Sequence, residues 1–381
     1  MQNRQLIAGL LVLAGLSGCT EPKPPEFRVG MIVLGSGPLV PMLAAPSRNG
    51  ARIAVDELNA AGGVTIGGVK HRVVLVERLT EARPDAAASA AAALVNLDSA
   101  DVVIVPLISA QSAAAAAVAE AAGVPMIAPM ASNPAVTGGR KLVFRLAFTD
   151  AFQGELLATF AYDTLGMRRV AALADPASSY AQDIVRLFSR TFEARGGRIV
   201  AHEGFAADGS KDFRPQLRKI IAARAEAILL PNYMVQDSIQ VRQARELGFK
   251  GRFFGSDSWD PAAIVNLPAA RGGIVVANWD PRTDREASRA FVATYQQIHG
   301  AAPRTAAAAT YDAVILFARA AEKAGSRDGI AVADAIRDFG SFTGASADFR
   351  WRGSNDPVRG GVLIEVLAGR DSIRLVSAPE P

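Results

Sequence analysis

The stretch DVVIVPLISAQSAAAAAVAEAAGVPMIAPMASNP, Asp101 to Pro134, decides the fold. A continuous apolar run, Asp101–Pro106, breaks at Leu-Ile-Ser and gives way to an Ala-rich helical stretch, Ala110–Gly123. A second apolar run follows at Val124–Pro129 and ends in Ala-Ser-Asn-Pro. Apolar strands separated by helices predict a parallel sheet covered on both faces. In such a sheet ligands gather beyond the carboxyl ends of the strands, where helix N-termini also point. The segments LISAQS and MASNP therefore sit where a binding site would be built.

Upstream, FRVGMIVL (Phe27–Leu34) and HRVVLVE (His71–Glu77) read as strands, with helices over Asn49–Gly63 and Arg83–Leu97. Downstream, after KLVFRLAFTD, the alternation restarts. Strands RVAALAD, GRIVAHEGF, AEAILLP and RFFGS are separated by helices that begin near Ser179, Asp212 and Gln236. A further strand, GGIVVANW, precedes helices over Asp284–Ile298 and Thr305–Ala324, and the chain closes with GGVLIEVLAG and DSIRLVS. The late helices must bury apolar faces, and neither sheet is complete without them. Three crossings between two lobes follow, near Phe148, Asn278 and Phe349, and they form a hinge over a cleft suited to small ligands. The expected architecture is α/β, two Rossmann-like lobes with parallel central sheets joined by a three-segment hinge. Lobe 1 takes residues 27–148 plus 278–349, and lobe 2 takes 149–277 plus 350–381.

At 381 residues the chain is long enough for two such cores. The formal charge of +4 is small, and basic residues alternate with acids, so nucleic acid is not an expected partner. The one cysteine, Cys19, follows Arg4 and an apolar run from Leu6 to Leu16. That run is too short to span a bilayer and reads as a secretory signal. LSGC (Leu16–Cys19) resembles the lipobox of bacterial lipoproteins. The resemblance implies cleavage of a signal peptide at residues 1–18, lipidation of Cys19, and a tether over residues 19–26. Disulfide, Cys-based metal and thiol chemistry are then excluded from the mature domain.

The strand ends carry the chemistry. LISAQS offers Ser109 and Ser112, ASNP offers Ser132, PASSY offers Tyr180, NYMVQD offers Tyr233, and DSWDP offers Asp257. Hydroxyls and free N–H groups at a helix start suit an anion, and a carboxylate opposite suits a cation. Two tyrosines can cover an apolar side chain while their hydroxyls satisfy polar neighbours. The set fits an α-amino acid held by both charged ends, one on each lobe. Second readings stand beside this one. Ser109 or Ser112 can cap the helix, Ser132 can be turn chemistry, and the tyrosines can be rim residues. Asp257 has no evident capping duty, because Asp260 followed by Pro261 already carries the Ncap–N1 signature. The apolar segment GPLVPML reads either as a loop over the ligand or as a patch packed on its own lobe.

The segments NGARIAVDELNAAGG, APMASNPAVT, SSYAQDIVRLF, VRQARELGF and TYDAVILFARAAEKAG together resemble the type I periplasmic binding proteins of ABC importers, in the branched-chain amino acid (Leu/Ile/Val)-binding group. The resemblance implies that Ser109, the main chain of Met130 and Ser132 grip the ligand's α-carboxylate and amino group. It further implies that Tyr180 and Tyr233 line the second lobe's wall and that Asp257 pairs with the ammonium. The chain departs from the group in having Asp257 where Glu is common, Leu39–Leu43 where some members place an aromatic, no disulfide, and Ala181 after Tyr180 where glycine is frequent.

The expected function is a solute-binding lipoprotein that captures an amino acid or similar zwitterion. It delivers that ligand to ABC permease and ATPase subunits, from the periplasm and anchored to a membrane by lipid on Cys19. Alternatives are a ligand-sensing receptor of the same fold and an importer subunit for aromatic acids or amides. An enzyme is not expected. GxSxG, HExxH and the P-loop are missing, GSGPLV lacks the last glycine of a dinucleotide fingerprint, and His71, His202 and His299 are scattered. No motif calls for a cofactor or a metal.

Overall fold

The computed structural model describes residues 24–205, 211–367 and 373–377; the signal, lipobox and Cys19 lie outside them. The first sheet holds β1 (Glu26–Leu34), β2 (Val64–Ile66), β3 (Val69–Thr80), β4 (Val102–Ile104), β5 (Met126–Ala128) and β6 (Val143–Arg145), in the order β2-β3-β1-β4-β5-β6. Every pairing is parallel except the β2–β3 hairpin, whose turn is made by Gly67 and Gly68 with positive φ. Helices α1 (Val40–Ala60), α2 (Pro84–Asn96) and α3 (Ser109–Ala121) connect these strands.

After β6 the chain enters α4 (Asp150–Thr159) and builds the second sheet from β7 (Arg169–Ala174), β8 (Arg198–Gly204), β9 (Ala227–Leu230), β10 (Arg252–Gly255) and β11 (Ile274–Ala277). The covering helices are α5 (Ser179–Ala194), α6 (Arg214–Ala222), α7 (Met234–Glu246) and the short α8 (Pro261–Ile264). This sheet is covered on both faces, and the pleat distributes its side chains accordingly. Val170, Ala172 and Ala174 join one core, while Ala171 and Leu173 join the other. Such a strand is apolar at every position, which is why it reads as a continuous run and not as an alternation.

From β11 the chain returns to the first sheet. Helices α9 (Glu286–His299), α10 (Thr305–Ala324) and α11 (Gly329–Arg337) come next, with the hairpin β12 (Ser341–Thr343)–β13 (Asp348–Arg350). Leu316, Phe317, Ile336 and Phe349 pack into the core under the first sheet. Helix α10 lies so close to α1 that a Cβ on Gly50 would meet the Ala307 carbonyl oxygen at 2.0 Å. The chain then crosses again to β14 (Val362–Val366) and β15 (Ile373–Ser377), which extend the second sheet antiparallel beyond β11.

Three features differ from the sequence reading. Helix α1 begins at Val40 and not near Asn49, so GPLVPML supplies its first turn, with Pro41 at a tolerated position and Pro46 inside the helix. Strands β2, β12 and β13, of three residues each, are too short for a periodic signal. The last two strands are antiparallel: β14 returns from the excursion through the first sheet to pair with the edge strand β11, and β15 pairs with β14.

The passages between sheets meet at Arg359, which is fully enclosed. Its guanidinium donates to the carbonyls of Leu146, just after β6, Asn278, just after β11, Ser346, between β12 and β13, and Gly360. Burial lowers its pKa to about 10, against the pull of the nearby Asp312 carboxylate, so the cation persists at neutral pH. Arg359→Met would strand these carbonyls, each costing ~1–3 kcal/mol when buried and unpaired. A loss of at least about 3 kcal/mol is expected in urea unfolding. A loss below about 1 kcal/mol would mean that other contacts hold the crossings.

Candidate functional site

The carboxyl ends of the strands in the two sheets face one cavity, lined by Met42, Leu43, Leu107, Ile108, Ser109, Met130, Ser132, Tyr180, Tyr233, Asp257 and Ser258. Ser109, Met130, Ser132, Tyr180, Tyr233 and Asp257, six of the seven positions singled out in the sequence, thus meet in one place although they are spread far along the chain.

On the first sheet's side, β4 hands over to α3 with Ile108 in the cap position and no side-chain cap. Ser109 is the first helical residue, and its Oγ accepts from the Asn133 amide at 3.4 Å. Ser112 turns back to donate to the Leu107 carbonyl at 3.1 Å and does not line the cavity. Asn133 takes the turn chemistry of ASNP, accepting from the Ala135 amide at 3.0 Å. Ser132 is thereby released from that duty, and its hydroxyl lies 3.5 Å from Gln153 Nε2.

On the second sheet's side, Ser178 caps α5 through its Oγ, so Tyr180 is free to reach over β10. The Tyr180 hydroxyl donates to Asp257 Oδ1 at 2.5 Å and lies 2.9 Å from Ser256 Oγ. Tyr233, at the start of α7, stacks on Tyr180 with ring centroids 5.7 Å apart and planes within 15°. Asp260 caps α8, as its Pro261 neighbour implies, accepting from Ala262 N at 3.0 Å. Asp257 instead receives Tyr180 on one oxygen and Asn278 Nδ2, at 2.9 Å, on the other.

Burial dominates the electrostatics. It pushes the Asp257 carboxyl up, opposed by its hydrogen bonds from Tyr180, Gln153 and Asn278. It pushes the hydroxyls of Tyr180 and Tyr233 up as well, helped by the negative charge of Asp257. No Lys or Arg lines this cavity.

Sequence reasoning missed three polar groups around it. Asp150, fully buried at the start of α4, takes Asn133 Nδ2 at 2.9 Å and Gln153 Nε2 at 3.0 Å. Gln153 joins the two halves: its Nε2 faces Ser132 and Asp150, while its Oε1 accepts from the Asp257 amide at 3.2 Å. Asn278 stands at the carboxyl end of β11, and a strand-end search carried on to GGIVVANW would have found it. Nothing in DAFQGE distinguishes Gln153 from an exposed helical glutamine. Among the described residues no group of three or more His, Cys, Asp or Glu is gathered to hold a metal. His71 bonds the Val69 carbonyl and His299 packs on Tyr295, both away from the cavity.

A family model described as periplasmic binding protein matches residues 26–370. The leucine-, isoleucine-, valine-, threonine- and alanine-binding protein of Pseudomonas aeruginosa is 29% identical over 297 residues, covering 76% of each chain. The crystal structure of a leucine-binding protein, LivK, from Thermotoga maritima superposes with a TM-score of 0.84 at 29% identity, covering 93% of this chain and 99% of that one. LivJ of Streptococcus pneumoniae, solved in complex with isoleucine, gives 0.83 at 28% identity, covering 93% and 100%.

The buried Asp150 generates a pH prediction. Burial foremost, with the Asp257 charge adding to it, raises its pKa to about 7, against hydrogen bonds from Ser132, Asn133 and Gln153. An unfolded Asp titrates near ~3.9. A carboxyl that holds its proton more tightly when folded contributes fully below the unfolded value and progressively less as pH rises through the folded one. This group therefore removes roughly 4 kcal/mol of stability between about pH 4 and pH 7. Asp150→Asn should flatten that part of the profile in urea unfolding. Parallel profiles for the two proteins would assign the proton to another group.

Proposed function

The chain belongs to the periplasmic binding protein family, whose members bind solutes and are not enzymes, and on that premise we propose that it captures a zwitterionic amino acid between its two lobes for an ABC importer. The observation that carries this reading is the placement of Asp257 across one cavity from Ser109 and Ser132, with no basic side chain in the lining. A ligand ammonium offsets the buried negative charge. The ligand carboxylate takes the serine hydroxyls and the main chain of Met130, in a low-dielectric space where such pairs are stronger than in water. An aromatic acid without an amine would bring a second negative charge to Asp257, with nothing to balance it. Tyr180 holds Asp257 in place, and with Tyr233 stacked on it covers the ligand's apolar part.

In this reading residues 27–148 with 278–349, and 149–277 with 350–381, move as two lobes about the crossings held by Arg359 and Asn278. The named ligands of the relatives are amino acids, which favours this ligand class. The partners are then the permease and ATPase of an importer, and the protein works in the periplasm, held to a membrane by lipid on Cys19.

Two measurements test the proposal. Amino acids should raise the melting temperature, because ligand at ~100 times its Kd adds about 2.7 kcal/mol to the folded state. A flat response across the proteinogenic set would remove this ligand class. Asp257→Asn should weaken leucine at least tenfold, roughly 1.4 kcal/mol, in calorimetry. Unchanged affinity would place the ammonium partner elsewhere.

A further inference from the structure

Met42, Met130 and Asp257 line the cavity on one side and, on the other, a second hollow. Trp259, Ala277 and Ala306 help to make that hollow apolar, while Arg304 and Asp260 close its polar end as an ion pair. Arg304 stands at the start of α10, over the first sheet, and Asp260 at the start of α8, beside the second, so the pair spans the cleft.

The hydrogen-bonding capacity of the hollow can be accounted for group by group. The Asn278 amide is spent at both ends, on Phe148 N and on Asp257. The Thr305 hydroxyl donates to the Trp279 carbonyl. Asp260 Oδ1 caps α8, and Oδ2 has no hydrogen-bond donor other than its ionic contact with Arg304. Arg304 carries five N–H donors and has no partner among the described residues besides Asp260. Arg304 thus keeps donors beyond the one given to Asp260, and Asp260 Oδ2 accepts from Arg304 alone, at the polar end of an apolar hollow that Asp257 also lines.

We propose that this hollow is the side-chain subsite of the ligand cleft and that it takes an amino acid whose side chain ends in a neutral carboxamide or ureido group. The inference rests on the amino-acid reading of the cavity and specifies it further. The tail's carbonyl oxygen accepts from Arg304 while its N–H donates to Asp260, and the methylene stem lies against Met42 and Met130. A tail carboxylate would meet Asp260, a tail ammonium would meet Arg304, and an alkyl tail would leave both unmatched, so discrimination comes from repulsion as well as from fit.

The test is calorimetry on the purified full-length protein with citrulline, glutamine, glutamate and norleucine. The wild type is expected to bind citrulline or glutamine at least tenfold more tightly than glutamate or norleucine. Arg304→Met should weaken citrulline and glutamine at least tenfold more than it weakens norleucine. Asp260→Asn keeps an oxygen to cap α8 and removes the charge, so it should narrow the glutamine-to-glutamate ratio at least tenfold. Weakening of every probe by the same factor in Arg304→Met would overturn the subsite and leave the pair as an interlobe latch. Norleucine binding as tightly as citrulline to the wild type would overturn it as well. If no probe and no proteinogenic amino acid binds at all, the amino-acid reading itself falls, which is a different result from binding without tail discrimination.

Discussion

One asparagine joins the passages between the sheets to the acid in the cavity. Asn278 follows β11; its Oδ1 accepts from Phe148 N, just beyond β6, and its Nδ2 donates to Asp257. Its own carbonyl is held by Arg359, which also holds Leu146 and Ser346. A single buried network therefore fixes where the sheets meet and which way the carboxylate points. Each member is satisfied by another, so the arrangement is rigid in the sense that a buried polar network must be fully paired or not built. The strand ends face each other across the cavity beside this network.

Much of this was legible in the sequence. Strands buried on both faces read as unbroken apolar runs, and the loops after them can be searched one by one. That search found Ser109, Ser132, Tyr180, Tyr233 and Asp257, and Met130 came from the family resemblance; all six line one cavity. Asp257 was separable from Asp260 because a Pro after an Asp marks a cap, and the cap is where Asp260 is found. What stayed hidden depends on distant partners. Gln153 matters because its two amide ends reach residues on either side, which no local pattern encodes. Asp150 sits at a helix start where acids are ordinary, and burial, with the Asp257 charge adding to it, changes its chemistry. The early start of α1 was hidden by its prolines, which read as loop until the first turn is seen to tolerate Pro41.

The cavity's charge arrangement is unusual for the work proposed. Two buried carboxyls, Asp150 and Asp257, are raised by desolvation, and the buried cations Arg145 and Arg359 serve elsewhere, Arg145 on Asp356 and the Ser132 carbonyl and Arg359 on the crossings. The hydroxyls and amides around them stabilise the charge without neutralising it. A zwitterion supplies the missing positive charge only while it is bound, which ties occupancy to the protonation of the floor beneath it.

The described chain enters the first sheet through β1, nine residues paired in parallel to β3 along its whole length and to β4 at its centre. Its carboxyl end points at the cavity, so Glu26 emerges at the opposite pole of that lobe. A pull on the polypeptide from this pole, directed along the strand, loads both ladders in shear, with all the paired bonds sharing the force. The same pull on a hairpin edge would open its bonds one after another. The mechanical strength of the molecule is thus concentrated where the upstream chain leaves it, and the mouth of the cleft lies at the far end from any tension applied there.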